Sequence, residues 1–86
     1  MSETPETRLK RLRMRAWRRG TKEMDLILGG YADTRLAGLT GGALDTFEAL
    51  LDESDQELYR WVSGQDSPPP RYRVLVADLA RMPGRG

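Results

Sequence analysis

The sequence predicts an all-α fold, a compact five-helix bundle in a single domain, and three observations carry that reading. Apolar residues recur at spacings of three and four along nearly the whole chain. No window shows the strict alternation of a half-buried strand. Glycines, prolines and capping residues divide the pattern into five segments. At 86 residues there is room for one core, so a single unit covers 1–86, with its packed part at about 7–82.

The first segment runs from about Pro5 to Arg18, with Leu9, Leu12 and Ala16 on one stripe and basic residues around the rest. Gly20 suits the left-handed position that ends a helix. The second starts near Thr21, a residue fit to cap it, and carries Met24, Ile27, Leu28 and Tyr31, then Leu36 and Leu39, at helical spacing. Gly29 and Gly30 fall inside it, and each weakens a helix by about 1 kcal/mol relative to Ala. Thr40 is placed to cap the third, which runs to about Asp52 with Leu44, Phe47, Leu50 and Leu51 inward; Gly41 and Gly42 fray its start.

Ser54-Asp55-Gln56-Glu57 fits the S-x-x-E capping box, in which the Ser54 hydroxyl and the Glu57 carboxylate each take a free backbone N–H. A short fourth helix turns Leu58, Trp61 and Val62 inward and closes at Gly64. Gln65 to Pro70 is a linker stiffened by three consecutive prolines, the last of which suits the first turn of a helix. The fifth helix carries Tyr72, Leu75, Val76, Leu79 and Met82 and ends at Pro83-Gly84. Connections this short favour antiparallel packing.

Composition narrows the chemistry. The chain has no Cys and no His, which removes disulfides, thiol nucleophiles, thiolate metal sites and imidazole acid-base catalysis, so a non-catalytic protein is expected. The start, Met1 to Glu6, lacks a basic-then-apolar signal, and no apolar run approaches the roughly 18 residues of a membrane span. A soluble cytoplasmic protein, monomeric when free, is the expectation. Asp52, Glu53, Asp55 and Glu57 lack the glycine and ligand spacing of a calcium loop, so no metal is expected.

The net charge of +1 conceals a strong polarity along the chain. Residues 1–22 hold eight Lys or Arg against two acids, residues 23–67 hold ten acids against two Arg, and the remainder holds four Arg against one acid. The basic end and the acidic middle suit either mutual attraction within the fold or an oppositely charged partner, and composition does not choose.

Arg18-Arg19-Gly20-Thr21-Lys22-Glu23 places charges of both signs around a tight turn. Arg19 leaves the end of one helix and Glu23 the first turn of the next, so their side chains are expected to emerge close together. They would offer an Arg fork to a partner carboxylate and a carboxylate to a partner N–H or guanidinium. Ordinary helix-end chemistry accounts for the same residue types. Trp17 lies off the apolar stripe and suits the partner surface, while Trp61 suits the core better than a flavin-stacking role, with Tyr59 beside it.

Arg19-Gly20-x-x-Glu23 followed by x-Asp25 matches an RGxxE signature and resembles the SdhE family of FAD assembly factors. The similarity continues through Leu26-Ile27-Leu28-Gly29, Tyr31-Ala32-Asp33, Leu44-Asp45-x-Phe47, Leu50-Leu51-Asp52, and Asp55 with Leu58-Tyr59-x-Trp61, spanning about residues 8 to 82. Gly41-Gly42 and the Pro68 to Pro70 run depart from the pattern.

The resemblance implies a five-helix bundle that docks on the flavoprotein subunit of succinate dehydrogenase, or of fumarate reductase, and promotes covalent attachment of FAD. By it Arg19, Gly20 and Glu23 carry over as partner contacts, with Arg18 and Trp17 beside them; Asp25 either joins them or fixes the turn. The histidine joined to the flavin 8-methyl carbon belongs to the partner, and so does the FAD, since no G-x-G-x-x-G follows a strand here. The alternative from another class is a small helical regulator that binds nucleic acid through Arg8, Lys10, Arg11, Arg13, Arg15 and Arg18, although few aromatics are present to stack on bases.

Overall fold

Five stretches of helical apolar spacing become five α-helices in the computed structural model, which describes residues 3–82. They are α1 (Pro5–Trp17), α2 (Lys22–Arg35), α3 (Gly41–Leu51), α4 (Asp55–Val62) and α5 (Arg73–Ala80). No strand occurs among the described residues.

Three helix starts are capped by side chains. Hydroxyls of Thr4, Thr21 and Ser54 accept the N–H of Thr7, Met24 and Glu57 at 3.1, 3.3 and 3.2 Å, each satisfying one of the donors a helix leaves free. Several expected details are corrected. Only one arm of the box at Ser54 forms, because the Glu57 carboxylate lies 3.6 Å from Arg60 one turn on and not on the Ser54 N–H. Thr40 stands at the start of α3 in extended conformation, but its hydroxyl makes no capping bond.

The run predicted to carry α2 through Leu39 tightens after Arg35 into a 3-10 turn, Leu36–Gly38, whose closing bond joins the Leu39 N–H to the Leu36 carbonyl at 3.0 Å. Leu36 is thereby fully buried and Leu39 packs at the core's edge. Pro70 opens a second 3-10 turn, Pro70–Tyr72, so α5 proper begins at Arg73 and Met82 lies beyond its end. The expected stop at Pro83-Gly84 falls outside the described residues.

One hydrophobic cluster joins all five helices, with Leu12, Ile27, Leu28, Phe47, Leu50, Leu58 and Leu79 fully buried. Tyr31 stacks on Phe47 with ring centroids 5.5 Å apart, and Trp61 meets Tyr72 at 5.7 Å. Burial raises the Tyr72 hydroxyl pKa, as does its bond to Glu53 Oε2 at 3.1 Å.

The glycine pair inside α2 has a packing cause at one member. The Trp17 indole lies flat against Gly29, and a Cβ there would overlap the ring carbons Cδ2, Cε2 and Cε3. The Trp17 Nε1–H reaches Asp33 Oδ1 at 3.2 Å, which fixes the ring across the top of α2. At Gly30 the nearest atom to a Cβ would be the Met82 terminal methyl at 3.5 Å, an ordinary contact.

Charge segregation along the sequence is resolved by pairing within the fold. Arg8 reaches Asp45 at 2.8 Å and Glu48 at 2.7 Å, Arg11 reaches Glu3 at 2.8 Å and Glu48 at 2.9 Å, and Arg15 reaches Asp52 at 2.8 Å. On the other flank Arg13 lies 3.5 Å from Asp33. Single surface pairs contribute little, but Glu48 is held by two guanidiniums at once and therefore fixes α1 on α3 as a network. Hydrogen bonds from Arg11 and Arg8 hold the Glu48 carboxyl below its ordinary pKa of 4.5.

Two outcomes follow for stability. Gly29→Ala should lower the thermal midpoint by about 4–8 °C, because displacing the indole costs more than the roughly 1 kcal/mol gained in helix propensity, whereas Gly30→Ala should raise it. Equal shifts of the same sign would show that the indole contact does not govern Gly29. The folded protein also binds the Glu48 proton more weakly than the unfolded chain does. The resulting stabilisation is complete above pH 4.5 and drains away as pH falls through the lower folded value. Urea titrations between pH 3 and 6 should therefore show a flatter acid limb for Glu48→Gln than for the wild type.

Candidate functional site

The α1–α2 connection is built so tightly that its conformation is determined residue by residue. The Arg18 N–H returns to the Arg15 carbonyl at 3.2 Å, and Gly20 then takes φ +103°, a region in which a side chain would clash with its own backbone. Thr21 restarts the helix, its carbonyl accepting the Asp25 N–H at 2.9 Å. The Asp25 carboxylate reaches back across the turn and accepts the Arg19 N–H at 2.6 Å. Of the two expectations for Asp25, this contact corresponds to fixing the turn.

Arg19 ties that turn to the opposite corner of the bundle. Its Nε donates to Asp55 Oδ1 at 2.8 Å, one terminal nitrogen donates to the Leu51 carbonyl, and the other to the Glu53 carbonyl at 2.6 Å. These acceptors lie where α3 ends and α4 begins. The last carbonyls of a helix have no partner within it and carry partial negative charge, so a guanidinium there satisfies them and interacts well with the helix dipole. With 11% of its side chain exposed, Arg19 has its fork engaged inside the fold. The expectation that it emerges beside Glu23 is corrected accordingly.

Glu23 stands apart from all this. It is exposed in the first turn of α2, and among the described residues its carboxylate has no hydrogen-bond or ion-pair partner. Together with Met24, Asp55, Gln56, Tyr59 and Arg60 it lines a cleft between the start of α2 and the outer side of α4. Asp55 therefore belongs to both halves of the site, bonded to Arg19 and bordering the cleft that Glu23 enters. A Cβ on Gly20 would meet nothing within 4 Å, so the turn presents bare backbone to its surroundings.

Arg18 is exposed and makes no ion pair among the described residues, while Trp17, packed on Gly29, remains 37% exposed. The six residues predicted for this surface thus divide into two kinds. Arg19 and Asp25 hold the turn; Glu23, Gly20, Arg18 and Trp17 remain accessible.

The contribution of α4 went unrecognised in the sequence. Asp55 reads there as a helix-start acid within the family resemblance, and Tyr59 as an aromatic beside Trp61, weighed for flavin stacking; the sequence assigns neither to the partner surface. The available signal was the short period of α4: Leu58, Trp61 and Val62 define its inward side and leave Tyr59, 39% exposed, facing out. Among the described residues no cluster of Asp and Glu is arranged to hold a metal ion, and no helix is long and apolar enough to cross a membrane.

Comparison with known proteins bears on this arrangement. Residues 10–82 match the family model described as Sdh5, flavinator of succinate dehydrogenase. Over 76 residues the chain is 33% identical to the FAD assembly factor SdhE of Acetobacter pasteurianus, covering 83% of this chain and 70% of that one. It is 39% identical over 81 residues to the mitochondrial succinate dehydrogenase assembly factor 2 of Meyerozyma guilliermondii, covering 93% and 60%. The corresponding protein of Mycosarcoma maydis is 38% identical over 71 residues, covering 83% and 30%. The chain thus spans less than two thirds of the length of these two fungal relatives. No solved structure matches the chain at a significant level. A family model that takes in α2 to α5 and most of α1, and a bacterial relative aligned over most of both lengths, establish that the chain belongs to the Sdh5 family of succinate dehydrogenase flavinators.

Proposed function

We propose that this chain is a non-catalytic assembly factor that docks through the Gly20 turn and Glu23 on the flavoprotein subunit of succinate dehydrogenase, or of fumarate reductase, and promotes covalent attachment of FAD to a histidine of that client. The observation that carries the reading is Glu23. It is an exposed carboxylate without an internal partner, set beside bare glycine backbone on a turn that Arg19 and Asp25 hold rigid. A carboxylate that is not neutralised, carried on a backbone that is held in place, is ready to meet a partner N–H or guanidinium, and only its own side-chain rotamers are ordered when it does.

The chain contributes position and no reacting group. Without His or Cys it has neither the histidine that joins the flavin nor an imidazole to move its proton, so that histidine belongs to the client, and the FAD is read as the client's with it. Bringing two reacting groups into attack geometry lowers a barrier by several kcal/mol with no proton donated. In this scheme Arg19 and Asp25 are positioning residues, Glu23 and Gly20 meet the client, and Arg18 and Trp17 flank the contact. The site of action is the compartment in which the client acquires its flavin: the cytoplasm in a bacterium, and for the fungal relatives the organelle their names state.

The nucleic-acid alternative loses support from the ion pairs. Arg8, Arg11, Arg13 and Arg15, four of the six cations it relies on, are already matched by carboxylates of the same chain.

In-gel flavin fluorescence of the denatured client subunit tests the reading. Covalent flavin should fall when the chain is absent, and Glu23→Ala should fail to restore it, with a deficit of about tenfold, equivalent to about 1.4 kcal/mol of docking energy. The variant's thermal midpoint should fall by no more than a few degrees, because Glu23 has no side-chain partner inside the fold and its place in the first turn of α2 is worth only about 0.3–1 kcal/mol. Gly20→Arg should fail as well. Full covalent flavin in the strain lacking the chain would overturn the proposal.

A further inference from the structure

The outward side of α1 carries cations that the fold leaves unmatched. Its inward-leaning arginines find carboxylates on α3 and beyond, but Lys10 and Arg18 make no ion pair among the described residues. They stand eight residues apart, with Met14 midway and 46% exposed. At 1.5 Å per residue, with each step of four turning about 40° around the axis and Arg18 just past the last helical residue, this gives a gently winding strip of cation, apolar group and cation about 12 Å long. The groove along it is lined by Thr7, Lys10, Arg11, Met14, Arg15 and Arg18, reaches Arg19 at its end, and has no carboxylate in its lining. Nothing among the described residues covers it, and it runs directly into the Gly20 turn.

We propose that this strip is a second docking element, which binds an acidic amphipathic segment of the flavoprotein client through two carboxylates about 12 Å apart flanking one apolar side chain. The assignment rests on the function proposed above and adds the chemistry of a distinct part of the client. Charge complementarity selects an acidic occupant, and Met14 selects a protein over a nucleic acid. A thioether between two cations is well matched by an apolar side chain and finds no counterpart on a phosphate backbone. Two unmatched cations would also give a nucleic acid a salt slope of only about −2, too shallow for useful affinity.

The strip and the turn differ in what they do. Glu23 offers one negative charge at a rigid point, whereas Lys10 and Arg18 spread positive charge along a ridge. Exposed charge of the second kind acts chiefly on encounter rate and orientation. A client held at both places could not rotate about the Gly20 turn, and rotation is what a factor that positions two groups has to suppress.

The test is calorimetric titration of the purified full chain into purified, FAD-loaded client flavoprotein at low and moderate salt. Lys10→Glu with Arg18→Glu should weaken binding by about ten- to a hundredfold and flatten the salt dependence, and Met14→Ser should weaken it by about threefold, with thermal midpoints lowered by only a few degrees from the altered helix-end charge and helix propensity. Binding equal to wild type in these variants, alongside binding lost in Glu23→Ala, would overturn the strip and leave the proposed function standing. No binding by the wild type would end both. Wild-type binding to a random DNA duplex, tight at moderate salt and with a slope steeper than about −2, would overturn the strip in favour of nucleic acid.

Discussion

The Arg19 guanidinium, lodged between the end of α3 and the start of α4, is the contact on which the rest of the arrangement depends. Its donors meet the Leu51 and Glu53 carbonyls and the Asp55 carboxylate, while its own N–H is taken by Asp25. One residue therefore closes three ends at once: the exit of α1, the C-terminus of α3 and the entry of α4. Where α3 ends, the Leu51 and Glu53 carbonyls have no partner within a helix and would otherwise depend on water; at the other two ends the tie runs through the Asp55 and Asp25 carboxylates. With Arg19 in place, the α1–α2 turn keeps a defined position relative to α4. The cleft that holds Glu23 and Tyr59 exists because of that position.

Around this anchor, opposite charges keep the small bundle together. A domain of this size has a limited core, so the pairing of α1 with acids of the middle segment supplies orientation that apolar packing alone leaves loose. Glu48 gathers Arg8 and Arg11, and Asp52 takes Arg15, along one flank of α1. On the other flank the same helix meets α2 through a flat indole on a glycine. The inward flank is thereby neutralised, and around the turn the accessible charge includes Glu23, with Lys22 beside it, on one side and Lys10 and Arg18 on the other. A bipolar surface of that kind specifies an orientation for a partner as well as a place.

Much of this was legible in the sequence and some of it was not, for reasons that differ by residue. Helical spacing placed Leu12, Ile27, Phe47, Leu58 and Leu79 inward because burial of one stripe is a local property of each helix. Thr21 and Ser54 were readable as caps for the same reason. Thr40 was misread because a hydroxyl at the right position still has to turn toward the helix. The end of α2 was misplaced because Leu36 and Leu39 continue the apolar pattern while the backbone winds more tightly.

The partners of Arg19 lie up to 36 residues away, beyond anything a turn motif contains. Gly29 looked like a weakness in α2 because its cause, Trp17, arrives from another helix. Whether the charged halves attract one another or a partner was undetermined by composition and required the packing of α1 on α3. RGxxE identified the family; it did not reveal that its arginine faces inward while its glutamate stays free.

The claim that Arg19 acts inside the fold is tested most directly by a double-mutant cycle on the free protein, with Arg19→Ala, Asp55→Ala and the pair compared by urea unfolding. The geometry predicts a loss of about 2–3 kcal/mol for Arg19→Ala, from three acceptors left without a donor, and a coupling with Asp55 of about 1 kcal/mol or more. Stability within about 0.5 kcal/mol of wild type for Arg19→Ala, with client binding abolished, would contradict it and return the guanidinium to the partner.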